Sequence, residues 1–234
     1  MSVHAIIASY NTHGGVGVDR RFAPQRIADV VGELHADIVA LQELRAHKGG
    51  VDMLELLRQH SGLHAVSGTT MTFADGAFGN GLLTRFAPLT VEHITLDVGG
   101  REPRGAIDVT LDVNGRPLRV VATHLGLSVR ERHVQVGRLL TVLRRRPEVT
   151  TVLLGDINEW FVHRAPLRWL HAHFGESPAR ATFPSLLPLL ALDRIWCAPG
   201  AALRNVRAHR SRSARVASDH LPLLAELEFA ADRY

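Results

Sequence analysis

The feature that most constrains the fold is a short apolar run at residues 149–158, which reads VTTVLLGDIN. A run of this length, rich in β-branched residues and ending at a glycine, predicts a strand buried on both faces. Asp156 and Asn158 follow at alternate positions and would share one face at the strand's carboxyl end. Two interpretations fit this pair. Either it closes the strand with an Asx turn, or it binds a metal, a water or a phosphate.

Other predicted core strands also end in, or contain, polar side chains. These strands are expected near residues 3–9, 36–43, 118–125, 190–196 and 221–229. The polar residues at or beside the strands are Asn11, Glu43, His124, Asp156, Asn158, Asp193, Asp219 and His220. A single such residue is usually satisfied by local hydrogen bonds. A whole set needs a shared partner, because burying unpaired charge is costly.

Helices with one apolar face are predicted between these strands. One starts near Pro24, a second covers residues 51–59, and a third follows the capping box at residues 128–131. The triplet at residues 144–146 is expected in the last turn of that third helix, where cations suit the helix dipole better than they indicate a nucleic-acid patch. Residues 159–174 are expected to be partly helical and interrupted at Pro166, with aromatic side chains that either roof a pocket or pack. Residues 1–234 show no linker and therefore predict a single α/β domain.

Composition narrows the cellular context. The chain of 234 residues is 46% hydrophobic and 21% charged, which is ordinary for a globular protein. Its single cysteine, Cys197, excludes an internal disulfide framework and fits a reducing compartment. No secretion signal or membrane-spanning apolar run is visible. We therefore expect a cytoplasmic protein without a transmembrane segment, and take a monomer as the default.

The charge is unevenly distributed along the chain. The net charge of +4 divides into −3 for residues 1–117 and +7 for residues 118–234, and every cationic side chain except Lys48 is an arginine. Arginine suits bidentate phosphate contacts, although a codon bias explains the total equally well. The five arginines of residues 204–215 precede Asp219 and His220. They either rim a site or form a solvated basic hairpin.

The polar residues sort by chemistry. Asn11, Glu43 and Asp219 offer oxygen ligands with no cysteine among them, which points to Mg²⁺ or Mn²⁺ and away from structural zinc. His220, with Asp193 on another core strand, gives a base and an acid able to orient it.

Asp156 and Asn158 can align a water or hold a phosphoryl oxygen. His124 is a second histidine that can stabilise or protonate the other side of a phosphate.

Five motifs occur in a characteristic order across nearly the whole chain. They are Tyr10-Asn11-Thr12-His13, Leu41-Gln42-Glu43, Thr123-His124-Leu125, Gly155-Asp156-Ile157-Asn158 and Ser218-Asp219-His220, with Leu192-Asp193-Arg194-Ile195 between the last two. This set resembles the endonuclease/exonuclease/phosphatase superfamily, which has the deoxyribonuclease I-like fold, and in particular its small bacterial-type members. The resemblance implies a four-layer α/β/β/α sandwich, with two mixed β-sheets packed face to face and helices outside. It also implies a Mg²⁺-dependent hydrolase that attacks a phosphate ester in line with water.

The resemblance also assigns roles to residues. Glu43 would be the principal metal ligand with Asn11 beside it, and Asp219 would contact the metal or orient its neighbours. His220, paired with Asp193, would be the general base or a phosphate contact.

Asp156 and Asn158 would position the water and the scissile phosphate. Whether Asp156 or His220 takes the proton, and whether one or two metals bind, stays open.

Three details refine the resemblance. Histidine at position 124 is similar to deoxyribonuclease I-like and sphingomyelinase-like members, whereas apurinic-site nucleases usually have tyrosine there. The motif at residues 193–195 is similar to that of inositol-phosphate 5-phosphatases. Related enzymes carry an arginine that reaches the substrate phosphate, and Arg104 is preferred to Arg101 because it lies closer to a strand. No carboxylate partner for His124 is evident.

Phosphodiester hydrolysis is therefore the expected activity, by a nuclease or by a phospholipid or small-molecule phosphodiesterase. The expected partner is a phosphate ester, with DNA and a phospholipid headgroup both open, although the short chain leaves little room for loops that clamp a duplex. The alternatives are a phosphomonoesterase of the inositol-phosphate type and a non-catalytic module that keeps the fold and binds anions.

Overall fold

Eleven strands, five α-helices and one short 3₁₀ helix (His13–Gly15) make up the regular structure of the described residues. The structure, a computed structural model, describes residues 4–161, 163–199 and 201–229. The strands are β1 (His4–Asn11), β2 (Ile38–His47), β3 (His64–Phe73), β4 (Gly76–Thr84), β5 (Pro88–Thr95), β6 (Gly105–Val113), β7 (Arg116–His124), β8 (Thr151–Asp156), β9 (Asp193–Ala198), β10 (Ala201–Ala208) and β11 (Leu223–Phe229). The helices are α1 (Pro24–Leu34), α2 (Met53–Ser61), α3 (Val129–Leu143), α4 (Ala165–Phe174) and α5 (Arg212–Ala217).

The strands form two mixed sheets. The first has the order β10-β11-β1-β2-β4-β3 and the second the order β5-β6-β7-β8-β9. In each sheet one central pair is parallel, β1 with β2 and β7 with β8, and the other neighbouring pairs are antiparallel. The sheets are therefore mixed, as the resemblance implied.

Three apolar clusters separate four layers. Side chains from both sheets, including Ile7 and Leu154, form the central cluster. A second cluster packs α1, α2 and α5 on the outer face of the first sheet, and a third packs α3 and α4 on the second. Along β8, Leu154 faces the central cluster and Leu153 the outer one, so this strand is buried on both faces as its apolar run predicted. The predicted four-layer α/β/β/α sandwich is confirmed.

The parallel pairs bring polar side chains to one edge of the sandwich. In the first sheet Asn11 at the end of β1 lies opposite Gln42, and in the second His124 at the end of β7 lies opposite Asp156. Strand β9 runs antiparallel to β8, so its first residue, Asp193, lies opposite the last residue of β8. The start of β9, the ends of β1, β7 and β8, and the middle of β2 therefore meet at the same edge.

Several local expectations from the sequence were wrong in detail. Strand β8 ends at Asp156, and Asn158 adopts a left-handed conformation with φ of 54° instead of continuing the strand. Helix α3 ends at Leu143 with Arg144 as its C-cap, so the arginine triplet follows the last turn. Pro166 lies in the first turn of α4, where its missing N–H costs nothing, and so it begins the helix.

The arginine-rich segment 204–215 divides into two parts. Its strand portion, β10, is an edge strand in which Arg204 pairs with Glu228 at 3.0 Å, toward the end of β11 that lies away from the site. Its helical portion approaches the site loops, because Arg215 donates to the Leu186 carbonyl at 3.0 Å. Only the second portion suits a rim. Of the helices in the described residues, none combines the length and apolar composition needed to cross a bilayer.

Gly155 allows the close approach of β7 and β8. Its φ is +147°, and a Cβ there would lie 1.8 Å from the Thr123 carbonyl oxygen. We expect Gly155→Ala to lower the free energy of unfolding by about 2 kcal/mol or more. Gly137→Ala is the matched control, because a Cβ at Gly137, inside α3, would meet no atom within 4 Å. The free energy of unfolding of this control should rise by about 0.5–1 kcal/mol, because alanine favours a helix more than glycine does. Equal unfolding midpoints in urea for both variants would contradict the explanation.

Candidate active site

Asn11 joins the two sheets at the shared edge. Its Nδ2 donates to Glu43 Oε1 in the first sheet and to Asp156 Oδ2 in the second, both at 3.0 Å. Its Oδ1 accepts the backbone N–H of His13 at 3.0 Å, which holds the amide nitrogen toward the two carboxylates. One amide group therefore sets the distance between acidic groups that belong to different layers.

Glu43 reaches the site through a β-bulge. The pairing register of β2 with β4 shifts between Leu41 and Leu44, and Glu43 has a φ of 58°. A bulge re-aims a side chain, and a left-handed conformation in a residue other than glycine marks local strain that functional sites often contain. Among the described residues the only side-chain hydrogen bond to the Glu43 carboxylate comes from Asn11. Most of its acceptor capacity is therefore available.

The two oxygens of Asp156 have different tasks. Oδ1 accepts the backbone N–H of Asn158 at 2.9 Å, which is an Asx turn. Oδ2 faces the site, 3.6 Å from His124 Nε2 and 3.7 Å from His220 Nε2. Burial raises the pKa of Asp156 to about 6, although the charge of His220 opposes the rise. The Asx turn is therefore present, and it leaves Oδ2 facing the site.

His220 is held by Asp193. Its Nδ1 lies 2.9 Å from Asp193 Oδ2, and the Thr182 hydroxyl donates to the same oxygen at 2.5 Å. Burial alone would lower the pKa of His220, but the charges of Asp193 and Asp156 raise it to about 10. His220 is therefore an imidazolium at neutral pH. Ligand atoms of Asp156, Asp193 and His220 lie within 4.8 Å of one another, yet a protonated imidazole has no lone pair for a metal, so this trio suits a charged pair better than a cation site.

His124 has an arginine as its partner. Arg104 Nη1 lies 2.8 Å from His124 Nδ1, and because a guanidinium can only donate, the ring proton resides on Nε2. That nitrogen faces Asp156 Oδ2 and lies 3.1 Å from Asn158 Nδ2. Burial, together with the charges of Arg104 and His220, places the pKa of His124 well below its usual range. His124 is therefore neutral, while His220 is charged.

The two arginine candidates differ in position. Arg104 is buried at the start of β6 and also lies 3.3 Å from Glu102, whereas Arg101 is exposed. The structure therefore brings Arg104 to the histidine of the site, in line with the preference based on sequence.

Asp219 lies beside the cluster. It is partly exposed, and its Oδ1 lies 3.8 Å from His13 Nδ1. Within the described ranges it makes no hydrogen bond to Asn11, Glu43 or Asp156, although its charge contributes to the raised pKa of His220. Of the eight polar residues singled out in the sequence, the structure links seven through a continuous series of pairwise contacts and leaves Asp219 at the margin.

The oxygen-rich end of the site fits a divalent cation. Glu43 and Asp156 point carboxylate oxygens at the same amide, and Glu43 is half-buried with few protein partners. Hard oxygen ligands that leave room for water are typical of Mg²⁺ sites. Glu43 is therefore the residue with the most free oxygen capacity for such an ion, whereas Asn11 turns its amide nitrogen, which is not a metal ligand, toward the carboxylates.

A buried ion pair behind the site was not evident from the sequence. Arg132 Nε donates to Glu159 Oε2 at 3.1 Å, and its Nη1 donates to the carbonyls of Gly126 and Leu127 at 3.1 and 2.6 Å. Both partners are almost completely inaccessible. The pair ties the loop after His124 to the loop after Asn158. Arg132 looks like an ordinary surface residue of a helix in the sequence, and only the position of Glu159 directly after the motif hinted at a role.

We expect Arg132→Met to lower the free energy of unfolding by about 3 kcal/mol, because it leaves Oε2 of the buried Glu159 unpaired and Oε1 with only the Phe161 N–H at 3.2 Å and Arg164 Nε at 4.0 Å. Urea unfolding measures this loss, and the double variant Arg132→Met/Glu159→Leu should recover most of it. Arg58→Met is the control, since the Arg58–Glu55 pair on α2 is exposed and its loss should change stability little. A loss in the double variant as large as that in the single variant would refute the explanation.

The raised pKa of His220 predicts a pH-dependent contribution to stability. Between about pH 6.5 and pH 10 the folded chain binds this proton more tightly than the unfolded chain. The stability that His220 contributes is therefore fully present below pH 6.5 and is lost as the pH rises toward 10. In EDTA, the difference in free energy of unfolding between wild type and His220→Gln should shrink from pH 6 to pH 9.5. A difference that is constant across this range would show that the histidine is not charged.

Comparison with known proteins identifies the family of the chain. Residues 8–220 match the sequence pattern of the Endonuclease/Exonuclease/phosphatase family. The uncharacterized protein YbhP of Escherichia coli K12 is 30% identical over 242 residues, which cover 94% of this chain and 95% of YbhP.

Two solved structures show the same fold at low sequence identity. An endonuclease/exonuclease/phosphatase from Beutenbergia cavernae superposes with a TM-score of 0.81 at 22% identity, covering 98% of this chain and 72% of that chain. The mannosyl-6-phosphatase Bt3783 of Bacteroides thetaiotaomicron superposes with a TM-score of 0.80 at 17% identity, covering 95% of this chain and 99% of that one. Given the match over residues 8–220, this chain belongs to the Endonuclease/Exonuclease/phosphatase family.

Proposed function

We propose that this chain is a metal-dependent phosphoesterase that hydrolyses phosphodiesters by in-line attack of water. The observation that carries the proposal is the environment of Asp156 Oδ2. This one buried oxygen lies within 3.0 to 3.7 Å of an amide from the opposite sheet, a neutral imidazole and an imidazolium. Such a set can hold a water, accept its proton and balance the negative charge that develops on a phosphoryl group.

Asp156 is the better candidate for the general base. Its pKa of about 6 is close to neutral pH, so the carboxylate is mostly ionised there yet more basic than an exposed aspartate. His220 is already protonated and cannot accept another proton. Its role would be to hold a phosphoryl oxygen through Nε2–H while Asp193 keeps the ring oriented and charged.

His124 would donate a hydrogen bond to the other side of the phosphate. With Nδ1 occupied by Arg104, the Nε2–H of His124 is a donor aimed into the site, and the Asn158 amide lies next to it. Asn158 Nδ2 donates to the Leu125 carbonyl at 2.9 Å, which fixes the amide, and it makes no hydrogen bond to the protonated Nε2. Neutral donors of this kind can keep a hydrogen bond to a phosphoryl oxygen throughout the reaction without changing their own charge.

The proposed cofactor is Mg²⁺, with Mn²⁺ as a substitute. Glu43 would hold it, Asn11 would orient the Glu43 carboxylate through Nδ2, and Asp219 at the margin would be a further ligand or an orienting acid. When bound, the ion would neutralise charge on the phosphoryl oxygens and act as a Lewis acid.

The charge of the site favours a diester over a monoester. The charged groups around it are four carboxylates and two cations, namely Glu43, Asp156, Asp193, Asp219, His220 and Arg104. Four carboxylates and two cations sum to −2, and a bound Mg²⁺ would bring the sum only to zero. The site therefore holds no surplus positive charge for the second negative charge of a monoester, whereas a diester brings only one. Phosphomonoester hydrolysis is the second candidate, because a mannosyl-6-phosphatase shares the fold at full length.

The test is a substrate panel with bis-p-nitrophenyl phosphate, p-nitrophenyl phosphate and DNA, each with Mg²⁺ and with EDTA. We expect diester hydrolysis that EDTA abolishes, and a kcat about 10²–10⁴-fold lower in Asp156→Asn. Glu43→Gln should instead raise the Mg²⁺ concentration needed for half-maximal rate. Glu55→Gln, which removes an exposed acid on α2, is the control. Activity that survives both EDTA and His220→Gln would rule out the proposal, and salt-dependent binding of DNA without turnover would favour an anion-binding module.

A further inference from the structure

Six large apolar side chains are exposed around the mouth of the site. They are 51% to 71% exposed, and we call them the apolar rim: Leu127, Trp160, Phe161, Leu186, Leu187 and Leu189. Three of them fall within four residues of one loop. Scattered exposed apolar residues are normal on a protein surface, but a contiguous group next to a binding site marks an interaction surface.

The rim residues belong to three loops that are neighbours in the fold. Leu127 follows β7, the two aromatic residues follow β8, and the leucines at 186–189 precede β9. Because these strands are adjacent in the second sheet, their loops lie side by side at the site edge. Backbone hydrogen bonds connect them, from Leu125 N–H to the Asp156 carbonyl and from Ile157 N–H to the Leu192 carbonyl, both at 2.9 Å.

The leucine loop is also attached directly to site residues. The Phe183 ring lies 4.9 Å from the His220 ring, and the Ser185 N–H donates to the Asp219 carbonyl at 2.7 Å. The Ser185 hydroxyl donates to the Ser218 carbonyl at 2.8 Å. Any ligand or membrane that binds to these leucines therefore lies next to the site.

Cationic side chains are interleaved with the rim. The Arg164 guanidinium carbon lies 4.7 Å from the centre of the Phe161 ring, Arg215 donates to the Leu186 carbonyl, and Arg130 is exposed three residues after Leu127. The acids nearest these loops face inward, since Glu159 after β8 is completely buried against Arg132 and Glu131 is buried in the first turn of α3. The exposed charges beside the rim residues are therefore those of arginines, while the acids at the opening of the site are Asp219, Glu43 and Glu102, the last of which pairs with Arg104.

From this arrangement we propose that the apolar rim docks on the surface of an anionic phospholipid bilayer, and that the substrate is the phosphodiester of a lipid headgroup. The inference rests on the proposed function and names its substrate class. Tryptophan, phenylalanine and leucine partition into the boundary between headgroups and acyl chains, and nearby arginines add attraction to anionic lipids. Docking through the rim would bring headgroup phosphates to the mouth of the site.

Single-stranded nucleic acid is the competing ligand for exposed aromatic residues beside arginines. Bases bind such surfaces by stacking on aromatic rings. Four of the six rim residues are leucines, which offer no ring for stacking but do insert into a bilayer interface. The composition of the rim therefore favours lipid.

The test is co-sedimentation of the whole chain with vesicles of phosphatidylcholine alone, and with vesicles that also contain about a third of phosphatidylglycerol, an anionic composition of the kind that attracts basic surfaces. Two rim variants are used, Leu186→Ser/Leu187→Ser and Leu127→Ser, which lie on different loops. The control is Leu89→Ser/Val91→Thr, which removes similarly exposed side chains from β5 at the far edge of the second sheet. Thermal unfolding establishes that each variant is folded.

We expect the wild type and the control to bind the anionic vesicles, and the double rim variant to bind about tenfold or more weakly. Leu127→Ser should weaken binding in the same direction. Failure of the wild type to sediment with either vesicle would overturn the inference, as would equal losses in the rim and control variants. Binding to single-stranded DNA that the rim variants reduce, without vesicle binding, would assign the rim to nucleic acid. Because this readout does not depend on turnover, it separates failure of the inference from failure of the proposed function.

Discussion

The arrangement of the site depends on the amide of Asn11. It donates one hydrogen bond to Glu43 and another to Asp156, both at 3.0 Å, and these acids belong to different sheets. The apolar cluster between the sheets supplies the stability of the sandwich, but an apolar interface is non-directional and does not by itself define distances at its edge. A hydrogen-bonded bridge of fixed length does, and it places the acids that a cation and a water would share.

The charge of each histidine in the site depends on the residue that contacts its Nδ1 atom. His220 is backed by a carboxylate and is charged, whereas His124 is backed by the Arg104 guanidinium and is neutral. Both rings lie near the same oxygen of Asp156. The same residue type therefore supplies a permanent cation on one side and a neutral donor on the other, and the difference comes from residues that do not face the site opening.

Much of the fold and of the candidate site was predictable from local patterns. The apolar run before Asp156 is a strand buried on both faces, and the polar residues at strand ends do meet at one edge. What local patterns did not reveal were the contacts made between distant elements. Three contacts join residues at least eleven positions apart, and no sequence periodicity predicts them. They are the Arg132–Glu159 pair, the hydrogen bond from Thr182 to Asp193, and the contact between Arg104 and His124.

The sequence by itself determined which residue types stand at the strand ends, because hydrophobic periodicity and turn chemistry are local properties. It also determined that Asp156 and Asn158 would be polar neighbours at the end of a core strand. Only the tertiary structure decided that one oxygen of Asp156 closes the turn while the other faces the site, and that Asp219 lies at the margin. It alone also gathered the exposed apolar residues of three separate loops around one opening. The physical reason is that strand order and register fix which ends and loops meet, and both follow from packing across the whole chain.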